Sequence, residues 1–259
     1  MNIGIYGNKP FKTALIHGGP GACGEMSQTA EALAVRRGVL EPLQSANSIK
    51  GQIEELKKQL EENADIPVTL IGFSWGAWLS FIFTAQYSEF VKKLILISSG
   101  PFEEKYAAQV QQTRLNRLNN TEKAEYQKII QNIDGSLVLP KDALFEKLAR
   151  LCLKTDQYEP LVNIPESIDF RIDIFKGIWP QAARMRKSGE LLKLAEKICC
   201  PVMAIHGDYD PHPYEGVEKP LGNVLKNFHF ILLGKCGHRP WLEKHAKEEF
   251  YKILEKELS

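Results

Sequence analysis

Short apolar runs alternate with amphipathic stretches along the first hundred residues. Residues 13–16, 67–71 and 93–98 are brief and apolar, and turn residues bound them. They read as buried strands. Between them, residues 48–63 carry Ile49, Ile53, Leu56 and Leu60 on one face and Glu and Lys on the other. That is an amphipathic helix with Ser48 as its cap. Residues 77–85 are mostly apolar and long enough for a buried helix. The span 12–100 thus predicts strand, loop, helix, strand, helix, strand, helix, strand. From 102 to 194 the pattern changes. β-type runs nearly vanish, and charged helical stretches occupy 103–119, 121–133, 141–154 and 171–192, the last interrupted at Pro180. Strand-like runs resume at 201–205 and 228–233, and a helix over 241–258 closes the chain. The expectation is an α/β fold with a mostly parallel central sheet flanked by helices. Residues 1–101 and 195–259 form its core domain, and 102–194 form a helical cap inserted over one edge of the sheet.

Candidate chemistry collects where predicted strands end. Gly72-Phe73-Ser74-Trp75-Gly76 joins the strand at 67–71 to the helix at 77–85. A serine on so tight a turn lifts its hydroxyl clear of the backbone, and the glycines let strand and helix approach. A serine in an ordinary strand–helix turn is the plainer alternative. Three further signals weigh against it. His17-Gly18-Gly19-Pro20-Gly21 follows the strand at 13–16, His206-Gly207-Asp208-Tyr209-Asp210 follows 201–205, and Gly237-His238 follows 228–233. In open parallel sheets that edge is where ligands bind. Serine is a weak nucleophile at neutral pH and needs an adjacent base, itself held by a third group. His238, on a loop past the last strand, is the candidate base. His229 lies in a strand, His245 in a helix beside lysine, His212 between prolines and His17 in a Gly-rich loop. The acid is Asp208 or Asp210.

The pentapeptide, the His-Gly-Gly-Pro-Gly loop and the order Ser, Asp, His together resemble the α/β-hydrolase fold over almost the whole chain. The His-Gly-Gly-Pro-Gly and Ser-Trp-Gly stretches are most similar to its proline iminopeptidase branch. The resemblance implies that Ser74 is the nucleophile, Asp210 the acid and His238 the base, with Asp208 folding its own loop through nearby N–H groups. It also implies an oxyanion hole from the backbone N–H groups of Trp75 and Gly19; Pro20 has none to offer. A short opening strand near residues 3–6 would be what remains of the usual antiparallel start. One stretch departs from the branch. It usually carries Asp-Gln-Arg-Gly-x-Gly-x-Ser after the next strand, but residues 38–48 lack the arginine and both glycines. The implied activity is cleavage of a small-molecule ester or amide through an acyl-serine. Carbon–carbon cleavage or a lyase reaction on the same triad, an aminopeptidase, and a ligand sensor without turnover remain as alternatives. A serine nucleophile argues against haloalkane dehalogenase and epoxide hydrolase relatives. Phe102, Tyr158, Phe175 and Trp179, with Trp75, are candidates for the substrate wall, although cap aromatics equally serve as local core. Nothing in the sequence aims the cap acids Glu159, Glu166, Asp169 and Asp173 inward.

Composition narrows the class. The chain has 259 residues, enough for one large domain or one with an insertion. Its 33 basic and 32 acidic residues give a net charge of +1, with no footprint for nucleic acid. No transmembrane run or secretory signal is visible, so a cytoplasmic protein with no membrane partner is expected. Five cysteines without metal-type spacing fit a reducing compartment. Cys23 and Cys236, near the proposed site, are expected to be buried packing residues. No metal or organic cofactor is implied, the partner is a small-molecule substrate, and oligomeric state is open.

Overall fold

The computed structural model describes residues 3–134, 141–161 and 171–259. Seven strands form one sheet: β1 Ile3–Tyr6, β2 Phe11–Ile16, β3 Gly38–Pro42, β4 Val68–Phe73, β5 Val91–Ile97, β6 Val202–Gly207 and β7 Phe228–Leu233. Their order across the sheet is β1-β3-β2-β4-β5-β6-β7. Only β1 runs antiparallel, against β3; every other pair is parallel. The helices are α1 Ser27–Ala34, α2 Ile49–Asn63, α3 Trp75–Gln86, α4 Glu104–Asn116, α5 Asn120–Asp134, α6 Lys141–Asp156, α7 Ile172–Lys187, α8 Glu190–Lys193, α9 Glu215–Val224 and α10 Lys247–Glu257.

Side chains of period two divide the strands between two cores. Ala14, Ile16, Leu70, Leu94, Leu96 and Ala204 face α2, α3 and α9. Leu15, Ile71, Phe73, Ile95, Ile97, Met203 and Ile205 face α1 and α10. Both faces are covered, which is why these strands read as continuous apolar runs. α2 packs Ile53, Leu56 and Leu60 inward, and Ser48 Oγ accepts the Gly51 N–H at 3.1 Å to cap it. α4 to α7 interrupt the alternation between β5 and β6. Leu118, Tyr126, Ile129 and Leu151 form a small separate core among α4, α5 and α6.

Two helices differ from expectation. α7 runs unbroken through Pro180, which sits on the exposed side opposite buried Ile174, Ile178 and Ala182. A proline inside a helix costs about 3 kcal/mol, and burial of that apolar face outweighs it. The last helix starts at Lys247 rather than 241, after a single 3₁₀ turn over Pro240–Leu242. Glu243 occupies the gap, wholly buried, and its carboxylate accepts the N–H groups of Gly237, Tyr158 and Glu159 at 2.8–2.9 Å. Those bonds hold the chain out of helical geometry and leave His245 in an exposed turn. Among the described residues, no helix is long and apolar enough to cross a membrane.

Candidate active site

The turn from β4 into α3 is tight enough to strain its central residue. Ser74 has φ 53° and ψ −114°, a region in which a side chain costs on the order of 1–3 kcal/mol. Its N–H donates to Ile97 O at 2.9 Å, which anchors the turn to β5. Glycine is required on both sides. A Cβ on Gly72 would lie 2.2 Å from Gly76 O, and one on Gly76 would lie 2.3 Å from Ile16 O.

Ser74 Oγ lies 3.0 Å from His238 Nε2, and His238 Nδ1 lies 2.6 Å from Asp210 Oδ2. A carboxylate only accepts, so Nδ1 carries the proton and Nε2 is left to accept from the serine hydroxyl. Phe73 packs against the His238 ring, with centroids 4.9 Å apart, and Trp241 meets Phe73 edge-on at 4.7 Å. The His238 N–H donates to Asp156 O at 2.6 Å, so the end of α6 holds this loop.

Asp210 is sealed from solvent. Burial opposes its charge, but attraction by His238, His212 and His206 and the hydrogen bond from His212 outweigh it. They hold the carboxyl well below the usual carboxylate range. Asp208, by contrast, accepts the Cys236 N–H at 3.1 Å and ties its loop to the neighbouring one. His17 is buried; its Nε2 accepts the Gln44 N–H at 3.4 Å, and burial lowers its pKa.

A cavity of about 400 Å³ opens on Ser74 and His238. Gly19, Trp75, Phe175 and Trp179 line it, together with Trp78 and α4–α6 residues such as Val110, Tyr126 and Leu148. Phe175 and Trp179 stack at 5.7 Å, and Trp179 stacks on Trp78 at 6.2 Å. The other two aromatic candidates lie elsewhere. Phe102 is fully buried in the core against Phe81 and Trp78, because the chain leaving β5 turns inward there. Tyr158 is 44% exposed and meets Tyr209 edge-on, outside the cavity. Cys23 also departs from expectation. It is exposed, its thiol donating weakly to Gln44 O, whereas Cys236 is buried.

The cavity's charged groups are largely paired. Arg114 grips Asp156 with two parallel bonds of 2.9 and 2.6 Å. Burial opposes the Asp156 charge, but Arg114 wins and lowers its pKa. Arg239 donates twice to Glu25 Oε1, at 2.9 and 2.6 Å. Of the four cap acids, Glu159 pairs with Lys244 and His245 on the surface, and Asp173 with Arg171. Glu166 and Asp169 lie outside the described residues. Sequence reasoning missed Glu243, the Arg114–Asp156 pair and His212. Only His212 left a signal, since a residue two after an aspartate in a Pro-flanked turn is placed to bond it.

This architecture defines an α/β hydrolase. The family model described as alpha/beta hydrolase fold matches residues 15–238, and the chain belongs to that family. No curated protein sequence matches it. Several solved structures share its fold. A candidate lipase from Acinetobacter baumannii is 20% identical, with TM-score 0.66, covering 98% of this chain and 87% of its own. The proline iminopeptidase of Mycobacterium smegmatis is 15% identical, with TM-score 0.65, covering 99% and 93%. Est816, an N-acyl homoserine lactone degrading enzyme, is 15% identical, with TM-score 0.64, covering 98% and 95%. At these identities the likeness is one of fold.

Proposed function

We propose that the chain is a serine hydrolase that cleaves a small-molecule ester or amide through an acyl-Ser74 intermediate. One observation carries the reading: Ser74, His238 and Asp210 form an unbroken hydrogen-bonded series, and its Ser74 and His238 line the cavity. Ser74 Oγ attacks the substrate carbonyl carbon while its proton passes to His238 Nε2. Asp210 keeps the imidazole oriented and stabilises the imidazolium that forms. His238 then gives the proton to the departing alcohol or amine. A water, deprotonated by the same nitrogen, releases the acid from Ser74.

The tetrahedral oxygen needs two N–H donors, each worth about 2.7–4 kcal/mol. Trp75 opens α3, so its N–H has no carbonyl four residues back to bond. Gly19 lines the cavity beside Ser74 and is the second donor in this reading. The buried Trp75 indole donates to Gln52 Oε1 at 3.0 Å, which braces that first turn.

Residues 102–194 serve as the cap. α4–α7 supply most of the apolar cavity wall, so they select the acyl group by shape. An apolar wall with paired charges suits a neutral acyl ester better than a cationic peptide N-terminus.

The test is labelling of purified protein by a fluorophosphonate, with the adduct mapped by mass spectrometry. Labelling at Ser74, lost together with ester turnover in Ser74→Ala, is the expected result. Turnover within a few-fold of wild type in Ser74→Ala would refute the reading.

A further inference from the structure

One residue outside the Ser74–His238–Asp210 series makes two of the bonds to the acid. His212 gives Asp210 Oδ1 its main-chain N–H at 2.9 Å and its ring Nδ1 at 2.8 Å. Oδ2 is thereby left to His238 at 2.6 Å. His206 Nε2 also lies 3.3 Å from Oδ2, but its N–H donates to the carbonyl of His212 at 2.9 Å. His206, on β6, therefore holds His212, and His212 holds Asp210.

We propose that His212 is a positioning residue: its ring Nδ1–H clamps Oδ1 of Asp210 so that Oδ2 faces His238. The inference rests on the serine hydrolase reading above. A carboxylate bonded through one oxygen can still rotate about its terminal torsion, which is broad and two-fold. Two donors on the other oxygen fix its plane. The main-chain donor belongs to the turn itself, and any residue except proline would supply it. The ring donor is specific to this side chain. Burial lowers the His212 pKa, against the pull of Asp210, and so favours a neutral ring that does not compete as a second cation for the carboxylate. The ring also borders the cavity and lies 4.7 Å from the His238 ring, tilted by 33°. That position also suits packing of the base and contact with substrate, and the test separates both from the clamp.

His212→Asn keeps a nitrogen donor where Nδ1 stands but has no ring. His212→Phe keeps the ring but has no donor. Both are assayed with a short p-nitrophenyl ester and by the rate of fluorophosphonate inactivation, with melting temperatures alongside. A hydrogen bond to a charged group is worth about 10- to 100-fold. The expected result is a kcat lower by about that factor in His212→Phe, with KM within about threefold, and a kcat within about fivefold of wild type in His212→Asn. Full activity in His212→Phe, or His212→Asn as slow as His212→Phe, overturns the clamp. A rise in KM at unchanged kcat overturns it in favour of a substrate contact. If His212→Phe shows no melting transition, His212→Ala against His212→Asn makes the same comparison. Failure of the hydrolase reading would show differently, as a wild-type protein that no phosphonate labels, and it would overturn both.

Discussion

At the scale of single residues, the two aspartates after β6 are chemically alike and structurally opposite. Asp210 is sealed against three imidazoles, whereas Asp208 holds the backbone of Cys236. Asp210→Asn should lower kcat by about 10⁴, the cost of an orienting carboxylate in a Ser-His-Asp triad, because the amide favours the wrong histidine tautomer. Asp208→Asn should stay within about tenfold of wild type, since an amide oxygen can still accept the Cys236 N–H. Steady-state kinetics on a p-nitrophenyl ester decides between them. If the Asp208 variant is the inactive one, the acid has been misassigned.

At the scale of elements, the approach of α3 to β2 and the packing of α4 on α6 carry the most risk. Gly76→Ala places a methyl group against the Ile16 carbonyl, and backbone cannot yield as a side chain does. Its cost should be at least about 3 kcal/mol, read from urea unfolding. Arg114→Ala leaves the Asp156 carboxylate buried and unpaired, which should cost about 3–5 kcal/mol. Replacing the pair together, as Arg114→Met with Asp156→Leu, should cost less than the sum of the single changes. Exposed pairs such as Lys50–Glu54 and Lys58–Glu62 should each contribute under about 1 kcal/mol.

At the scale of the whole molecule, buried histidines set how stability depends on pH. Burial lowers the pKa of His17 and His206 in the fold, while the unfolded chain titrates near 6.5. Below that value the unfolded state binds more protons than the folded one, so stability falls with falling pH. The slope approaches about 1.4 kcal/mol per pH unit for each histidine until its folded pKa is reached. Unfolding by urea at pH 7.5, 6.5 and 5.5 should show that loss, and His206→Gln should flatten it. The cavity makes a prediction at the same scale. Each rate scaled to its uncatalysed hydrolysis, a short p-nitrophenyl ester should be preferred to proline p-nitroanilide. A strong preference for the anilide, lost on neutralising a cap acid, would restore an aminopeptidase.

Periodicity and turn chemistry are local, so they are legible in a sequence. The runs at 13–16, 67–71, 93–98, 201–205 and 228–233 became neighbouring parallel strands. Their ends carry Ser74, Asp210 and His238 because each loop leaves a strand's carboxyl end. The sequence by itself therefore determined the α/β class, the strand–helix order and which loops hold the polar groups. Only the tertiary structure decided what those groups touch. Phe102 and Phe175 are equally aromatic, yet one fills the core and the other lines the cavity. Pro180 carries a helix breaker's signal, overridden by the buried face of α7. Glu243 is drawn from a predicted helix to three backbone N–H groups on two other segments. His212, set aside between prolines, lies against the acid. Hydrogen-bond partners and burial depend on segments distant in the chain, and no local pattern encodes that meeting.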